Sequence, residues 1–212
     1  MSYHPQDFDK AASTWDLNPR RLKMVQEVAR AIAAEVSLSP DLEVLDFGCG
    51  TGLLSLHLQP MVGRITGADT SPGMLEALTE KVKTQGLGNV ATLLLDQEQN
   101  AALPGAYDLI VSNMTLHHVD DVPALLRRLG QALKPGGCLC LTDLDLDEGQ
   151  FHEDSQGVFH DGFDRAWLRE QFERAGLAVR SQRTAATMTK PARDGEVRDF
   201  TIFLTAGCKP AQ

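Results

Sequence analysis

The sequence is short of positive charge. Lys and Arg total 20 against 29 Asp and Glu, a formal net charge of -9. The longest basic clusters are pairs such as Arg127-Arg128. Contacts to a nucleic-acid backbone need clustered Lys and Arg, so bulk binding of DNA or RNA is not expected. Long apolar runs are also missing, and none approaches the roughly 20 residues that span a bilayer. The opening Met1-Ser-Tyr-His-Pro-Gln-Asp has neither the basic start nor the apolar core of a signal peptide. Cysteine is sparse: Cys49, Cys138, Cys140 and Cys208 are scattered in apolar surroundings without a C-x-x-C pair. Zinc and thiol redox chemistry are therefore not indicated, and buried, reduced thiols are expected. Together these absences predict a cytoplasmic protein with no membrane insertion.

What remains is ordinary globular composition, 212 residues with 42% hydrophobic and 23% charged. That length and balance predict one domain, residues 1–212, with a well-buried sheet. β-rich runs fall at Glu43–Phe47, Arg64–Ala68, Val90–Leu95, Tyr107–Ser112, Cys138–Leu144, Ala178–Arg183 and Phe200–Ala206. Helical stretches, Leu53–Gln59, Pro72–Gln85, Asp121–Leu133 and Arg165–Ala175, separate most of them. This alternation predicts an α/β, Rossmann-like fold: a seven-stranded, mainly parallel sheet with helices on both faces. No helix separates the last two runs, so an antiparallel C-terminal hairpin closes the sheet. Ser71-Pro72 and Asp121 supply helix starts, and Lys134-Pro-Gly-Gly supplies a stop. Residues 1 to about 40, with Tyr3, Phe8 and Trp15, form an N-terminal helical cap. Residues 145–163 form a long connection of the kind that serves as a lid or binding loop.

Three strand ends carry chemistry. Val44-Leu-Asp46-Phe-Gly48-Cys49-Gly50-Thr51-Gly52 runs from a strand through alternate glycines into a helix. Glycine permits unusual backbone angles and close approach of a ligand. The helix start that follows suits a ligand carboxylate. The spacing is G-x-G-x-G after an aspartate, whereas the dinucleotide fingerprint is G-x-G-x-x-G. Asp69 ends the second run, where a carboxylate can accept from both hydroxyls of a ribose. Asp96, ending the third run beside Gln97, could accept from an adenine amino group.

Asp46–Gly52, Asp69 with Ser71 and Met74-Leu75, Asp96, Tyr107-Asp-Leu-Ile-Val-Ser-Asn and Leu133-Lys-Pro-Gly-Gly resemble, in order, the motifs of class I S-adenosylmethionine (SAM)-dependent methyltransferases. The match covers roughly residues 8–144. Phe8-Asp-Lys-Ala-Ala-Ser-Thr-Trp-Asp is similar to the N-terminal cap of the small-molecule group that includes ubiquinone and menaquinone C-methyltransferases. The resemblance implies methyl transfer from SAM to a small-molecule acceptor, with S-adenosylhomocysteine as product. It also implies that the Gly48–Gly52 loop, with Cys49 and Gly50, holds the methionine end and Asp69 the ribose, with Asp46, Thr70 and Met74 as further cofactor-binding residues. Asp96 and Gln97 would frame the adenine, and Ser112 and Asn113 would line the wall near the sulfonium. Asp96-Gln-Glu-Gln-Asn departs from the family's Ala-x-x-Leu-Pro pattern, although Leu103-Pro104 follows.

Methyl transfer needs mainly alignment, which can supply ~7–11 kcal/mol of the barrier. Carbon and hydroxyl acceptors also lose a proton, and His117 and His118, following the fourth run, are candidate catalytic bases. Either could instead cap the next helix or pack beneath the sheet edge. In the 145–163 connection His152, Asp154 and His160 fit no ligand template, so no metal is expected. A non-catalytic SAM-binding protein or partner subunit is the alternative to an enzyme. An NAD-dependent oxidoreductase conflicts with the glycine spacing.

Overall fold

Alternating side chains along the strands give the sheet two buried faces, each covered by helices. The computed structural model describes residues 6–95 and 103–211. Its strands are β1 (Glu43–Phe47), β2 (Arg64–Asp69), β3 (Val90–Leu94), β4 (Tyr107–Asn113), β5 (Leu133–Leu144), β6 (Ala178–Pro191) and β7 (Val197–Cys208). Its helices are α1 (Gln6–Ala11), α2 (Pro19–Glu35), α3 (Leu53–Leu58), α4 (Pro72–Gln85), α5 (Val122–Ala132) and α6 (Arg165–Arg174). Val44, Leu109, Val111 and Cys140 point to one face, where α2 and α3 contribute Val28, Ile32, Leu54 and Leu58. Leu45, Ile110, Leu139 and Leu141 point to the other, against Leu126 and Leu129 of α5 and Leu168 and Phe172 of α6. This period-of-two division is what a doubly covered sheet requires.

The strand order is β3-β2-β1-β4-β5-β7-β6, a seven-stranded sheet. β1 to β5 run parallel, and β7 enters antiparallel between β5 and β6. The order reverses between β1 and β4, so a crevice opens at their C-terminal ends. Helix starts follow the expected chemistry. Ser71 Oγ accepts from Met74 N at 3.1 Å and Asp121 Oδ1 from Ala124 N at 2.9 Å. Asn18 does the same for α2, accepting from Arg20 N at 3.0 Å ahead of Pro19.

Three features depart from the sequence reading. The hairpin strands are longer than the apolar runs, because Thr187 and Thr189 lie on the outward face of β6. Ala186 and Met188 alternate with them and are buried. Leu133–Gly137 is not a plain turn but the irregular start of β5. Leu133 pairs with Tyr107 and Cys138 with Leu109, leaving the intervening residues as a bulge. Cys138 and Cys208 are not reduced thiols: they face each other across the antiparallel β5–β7 pair, with Cα atoms 4.0 Å apart, and form a disulfide. Opposed positions in neighbouring strands bring Cβ atoms within bonding reach, which no spacing in the sequence reveals. Cys49 and Cys140 are free and buried, as expected. No helix among the described residues is long and apolar enough to cross a membrane.

Candidate active site

A cavity of about 560 Å³ occupies the crevice beyond β1 and β4, within the range of small-molecule sites. Its floor is the turn after β1. Gly48 N and Cys49 N donate to Ala68 O at 2.8 and 3.1 Å, bending the chain across the tip of β2. Gly50 has φ +53°, and a Cβ there would point into open cavity, 3.9 Å from Met74 Sδ and 4.0 Å from the Trp15 indole nitrogen. Any side chain would both strain the backbone and fill the space a ligand needs. Gly52 is required for a different reason. Its φ is +80° and a Cβ would lie 2.3 Å from Leu78, so it serves packing and does not face the cavity.

Asp69 stands at the β2 tip as expected and lines the cavity. Its Oδ2 accepts from Gly50 N at 2.8 Å and its Oδ1 from Ser71 N at 2.9 Å, so one carboxylate fixes both the glycine turn and the start of α4. A carboxylate has about four acceptor sites, which leaves capacity for ligand hydroxyls. Burial raises its pKa against the pull of these N–H donors. Asp46 lies deeper, 1% exposed, and accepts from Ser55 Oγ at 2.6 Å. Burial pushes its pKa up to about 7.

The N-terminal segment is tied over this floor by its own carboxylates. Asp9 Oδ1 accepts from Ser71 Oγ at 2.5 Å and Gly73 N at 2.8 Å, at the positive end of α4. Asp16 accepts from Thr51 Oγ1 at 2.6 Å and Lys81 Nζ at 2.5 Å. These ties bring Phe8, Trp15 and Arg21 to the cavity wall. The Arg21 guanidinium lies 3.6 Å from the Trp15 ring centroid and donates from Nη1 to Trp15 O at 2.6 Å. Burial pulls its pKa down from the usual arginine range. Arg21 carries no motif in the sequence, and only the rotation of α2 directs it inward.

Beyond β4 the chain makes a 3-10 turn at Leu116–His118. Met114, just before it, lines the cavity with φ 55°, a strained value for a non-glycine residue. The adjacent histidines separate completely. His117 is 1% exposed and faces away from the cavity, its Nδ1–H donating to Asp143 Oδ1 at 2.7 Å. Asp143 also accepts from Leu116 N, His117 N and Leu144 N. Burial opposes its ionisation, but His117 and the Leu144 N–H hold its pKa below the carboxylate range. His118 lines the cavity, and its Nδ1 is 2.7 Å from Gly157 O. Since the carbonyl can only accept, Nδ1 carries the proton and Nε2 is the basic nitrogen. Burial and the His117 imidazole push the His118 pKa down to about 4, so the ring is neutral at neutral pH.

Of the remaining expected residues, Gly48, Cys49, Thr70, Met74 and Asn113 line the cavity. Ser112 does not: its hydroxyl donates to Phe47 O at 2.8 Å, inside the β1–β4 seam. Asp96 and Gln97 lie outside the described residues. Among the described residues, no group of His, Cys, Asp and Glu is placed to hold a metal ion.

Comparison with known proteins gives consistent matches. Residues 19–182 match a family model described as a methyltransferase domain. The chain is 32% identical over 170 residues to a ubiquinone biosynthesis O-methyltransferase of Xanthomonas campestris, covering 71% of this chain and 65% of that one. It is 32% identical over 152 residues to an uncharacterized methyltransferase of Schizosaccharomyces pombe, covering 65% of this chain and 54% of that one. The chain thus spans between half and two thirds of the length of these relatives. Among solved structures, a SAM-dependent methyltransferase from Aquifex aeolicus superposes with a TM-score of 0.70 at 22% identity, covering 98% of this chain and 99% of that one. At that identity the likeness is one of fold.

Proposed function

The chain belongs to the methyltransferase-domain family, and from that premise we propose that it transfers a methyl group from SAM to a small-molecule acceptor. The observation that carries this reading is the cavity floor: a backbone turn that excludes any side chain at Gly50, bonded to a carboxylate on the neighbouring strand tip. That pairing suits an adenosine ribose on Asp69 with the amino-acid end of the ligand along Gly48–Gly50. Cys49, Thr70, Met74 and Asn113 flank it, and Arg21 is the cation on hand for a ligand carboxylate. Asp46, itself on the cavity lining, ties the end of β1 to α3 through Ser55. SAM supplies a methyl already activated on a sulfonium.

The protein's own part is alignment, exclusion of water and removal of a proton. Phe8, against His118, and Phe159 wall the acceptor side, and Trp15 stands over the Gly50 turn. His118 is the proton acceptor: as the acceptor atom gains the methyl, its proton passes to Nε2. His117 is excluded from that duty by its burial on Asp143. The acidic surface and the absence of basic clusters favour a small acceptor over nucleic acid.

Calorimetry with SAM, S-adenosylhomocysteine and NAD tests the premise, and a labelled-methyl screen of hydroxyl, carbon, nitrogen and thiol compounds tests turnover. SAM binding with label in at least one product is the expected result. NAD binding without SAM binding overturns the reading, and SAM binding with no product across the screen favours a non-catalytic cofactor-binding protein.

A further inference from the structure

The connection between β5 and α6 is a loop with pinned ends. Asp145 bridges Phe163, and Phe163 N donates to Leu144 O at 2.9 Å. Its tip, residues 153–156, is exposed, the form of a compact Ω-loop. The two arms are tied differently, although His152 of the outgoing arm also lies against the turn, its ring centroid 4.9 Å from that of His117 and 5.9 Å from that of His118. The outgoing arm is held by the hairpin: Arg193 N donates to Gln150 O at 2.9 Å and Lys190 Nζ to Phe151 O. The returning arm hangs on the 3-10 turn. Phe159 N and His160 N donate to His117 O at 2.9 and 3.3 Å, and His160 Nε2 donates to Val119 O at 2.9 Å. The fourth tie is the bond from His118 Nδ1 to Gly157 O. Phe159, carried by the same arm, completes the cavity wall although 43% exposed. Gly157 and Gly162 take left-handed angles, φ +74° and +78°, on either side of this arm.

We propose that the returning arm positions His118 for chemistry: the Gly157 carbonyl holds the ring in the Nδ1–H tautomer only while the arm lies on the turn. A histidine side chain in water favours the opposite tautomer, with its proton on Nε2. Docking of the loop therefore brings two changes together, closure of the acceptor side by Phe159 and a ring whose basic nitrogen is Nε2. An undocked loop leaves the chamber open and the base in its unproductive form. This coupling rests on the reading of His118 as proton acceptor. Gly157 acts here as a positioning residue through its backbone.

The test uses the full chain labelled with 15N-histidine, with imidazole tautomers read by NMR and amide exchange read at residues 157–160. Wild type is expected to show His118 as Nδ1–H. His160→Ala and Gly157→Val loosen the arm without touching the cavity. Each is expected to shift His118 toward Nε2–H and to speed exchange roughly tenfold, the effect of about one hydrogen bond. His118→Asn places an N–H near the Nδ1 position and is expected to keep the arm protected, whereas His118→Ala releases it. S-adenosylhomocysteine calorimetry on each variant checks the fold.

An Nε2–H ring in wild type overturns the proposal. So does exchange that changes without the tautomer, or neither changing in Gly157→Val. The base reading fails separately, if His118→Asn methylates an acceptor from the labelled-methyl screen at the wild-type rate. The NMR result does not depend on that outcome.

Discussion

The Gly48–Asp69 end of the cavity and the His118–Phe159 end are held by different kinds of bond. At the first, strand tips one register apart are joined by short backbone and carboxylate bonds, Gly48 N to Ala68 O and Gly50 N to Asp69. At the second, a 3-10 turn, an N-terminal segment and a long loop meet through the Phe8–His118 ring contact, the ring bonds of His118 and His160, and two backbone bonds onto His117 O. The first end is a fixed cradle, because moving it would break the sheet. The second can be remade loop by loop on the same scaffold. A rigid half for the shared ligand and an adaptable half for the variable one is the division that a family of many acceptors requires.

The largest expected effect probes the adaptable half. His118→Asn should lower kcat by roughly 10²–10⁴, the range for a positioned proton acceptor, while SAM affinity by calorimetry stays unchanged. A parallel loss of SAM affinity would show that the halves are not separable. The rigid half is probed by Asp69→Ala, which should cost about 1.5–3 kcal/mol of SAM binding. Unchanged affinity in a folded variant would remove Asp69 from the site.

The pH profile sharpens the contrast. With the His118 pKa pushed down to about 4 by burial and His117, the base is already unprotonated well below neutrality. The acid limb of kcat/KM should fall near pH 4, below the ordinary histidine value of about 6.5. A limb at the ordinary value would place His118 in water. The smallest effect on either half is expected from Cys208→Ala. The disulfide with Cys138 joins the middle of β5 to the end of β7, away from the cavity. Its loss should lower stability by about 2–4 kcal/mol in denaturant unfolding, with SAM affinity unaltered.

The same division decides what the sequence discloses. Asp69 and Gly48–Gly50 were legible because a parallel strand's end is a fixed place, and a residue there has one direction to face. Ser112 was misplaced because neighbours on a strand alternate. Asn113 faces the cavity, so Ser112 turns into the seam toward Phe47. His117 and His118 are adjacent in sequence, yet a 3-10 turn sends one to Asp143 and the other to the cavity. Pattern alone could not choose between them. Arg21 gave no signal because an arginine on an amphipathic helix is ordinary until the helix's rotation is known. Cys138 and Cys208 lie 70 residues apart, and only the β5–β7 register makes them opposite. The strand and helix order, by contrast, followed directly from apolar periodicity and from Ser71, Pro72 and Asp121.

The most direct measurement is a crystal structure of the full chain with S-adenosylhomocysteine. The account predicts both ribose hydroxyls on Asp69, the amino-acid end along Gly48–Gly50, and the sulfur facing the chamber walled by His118 and Phe159. Adenosine bound away from Asp69, or a sulfur facing away from His118, would contradict it.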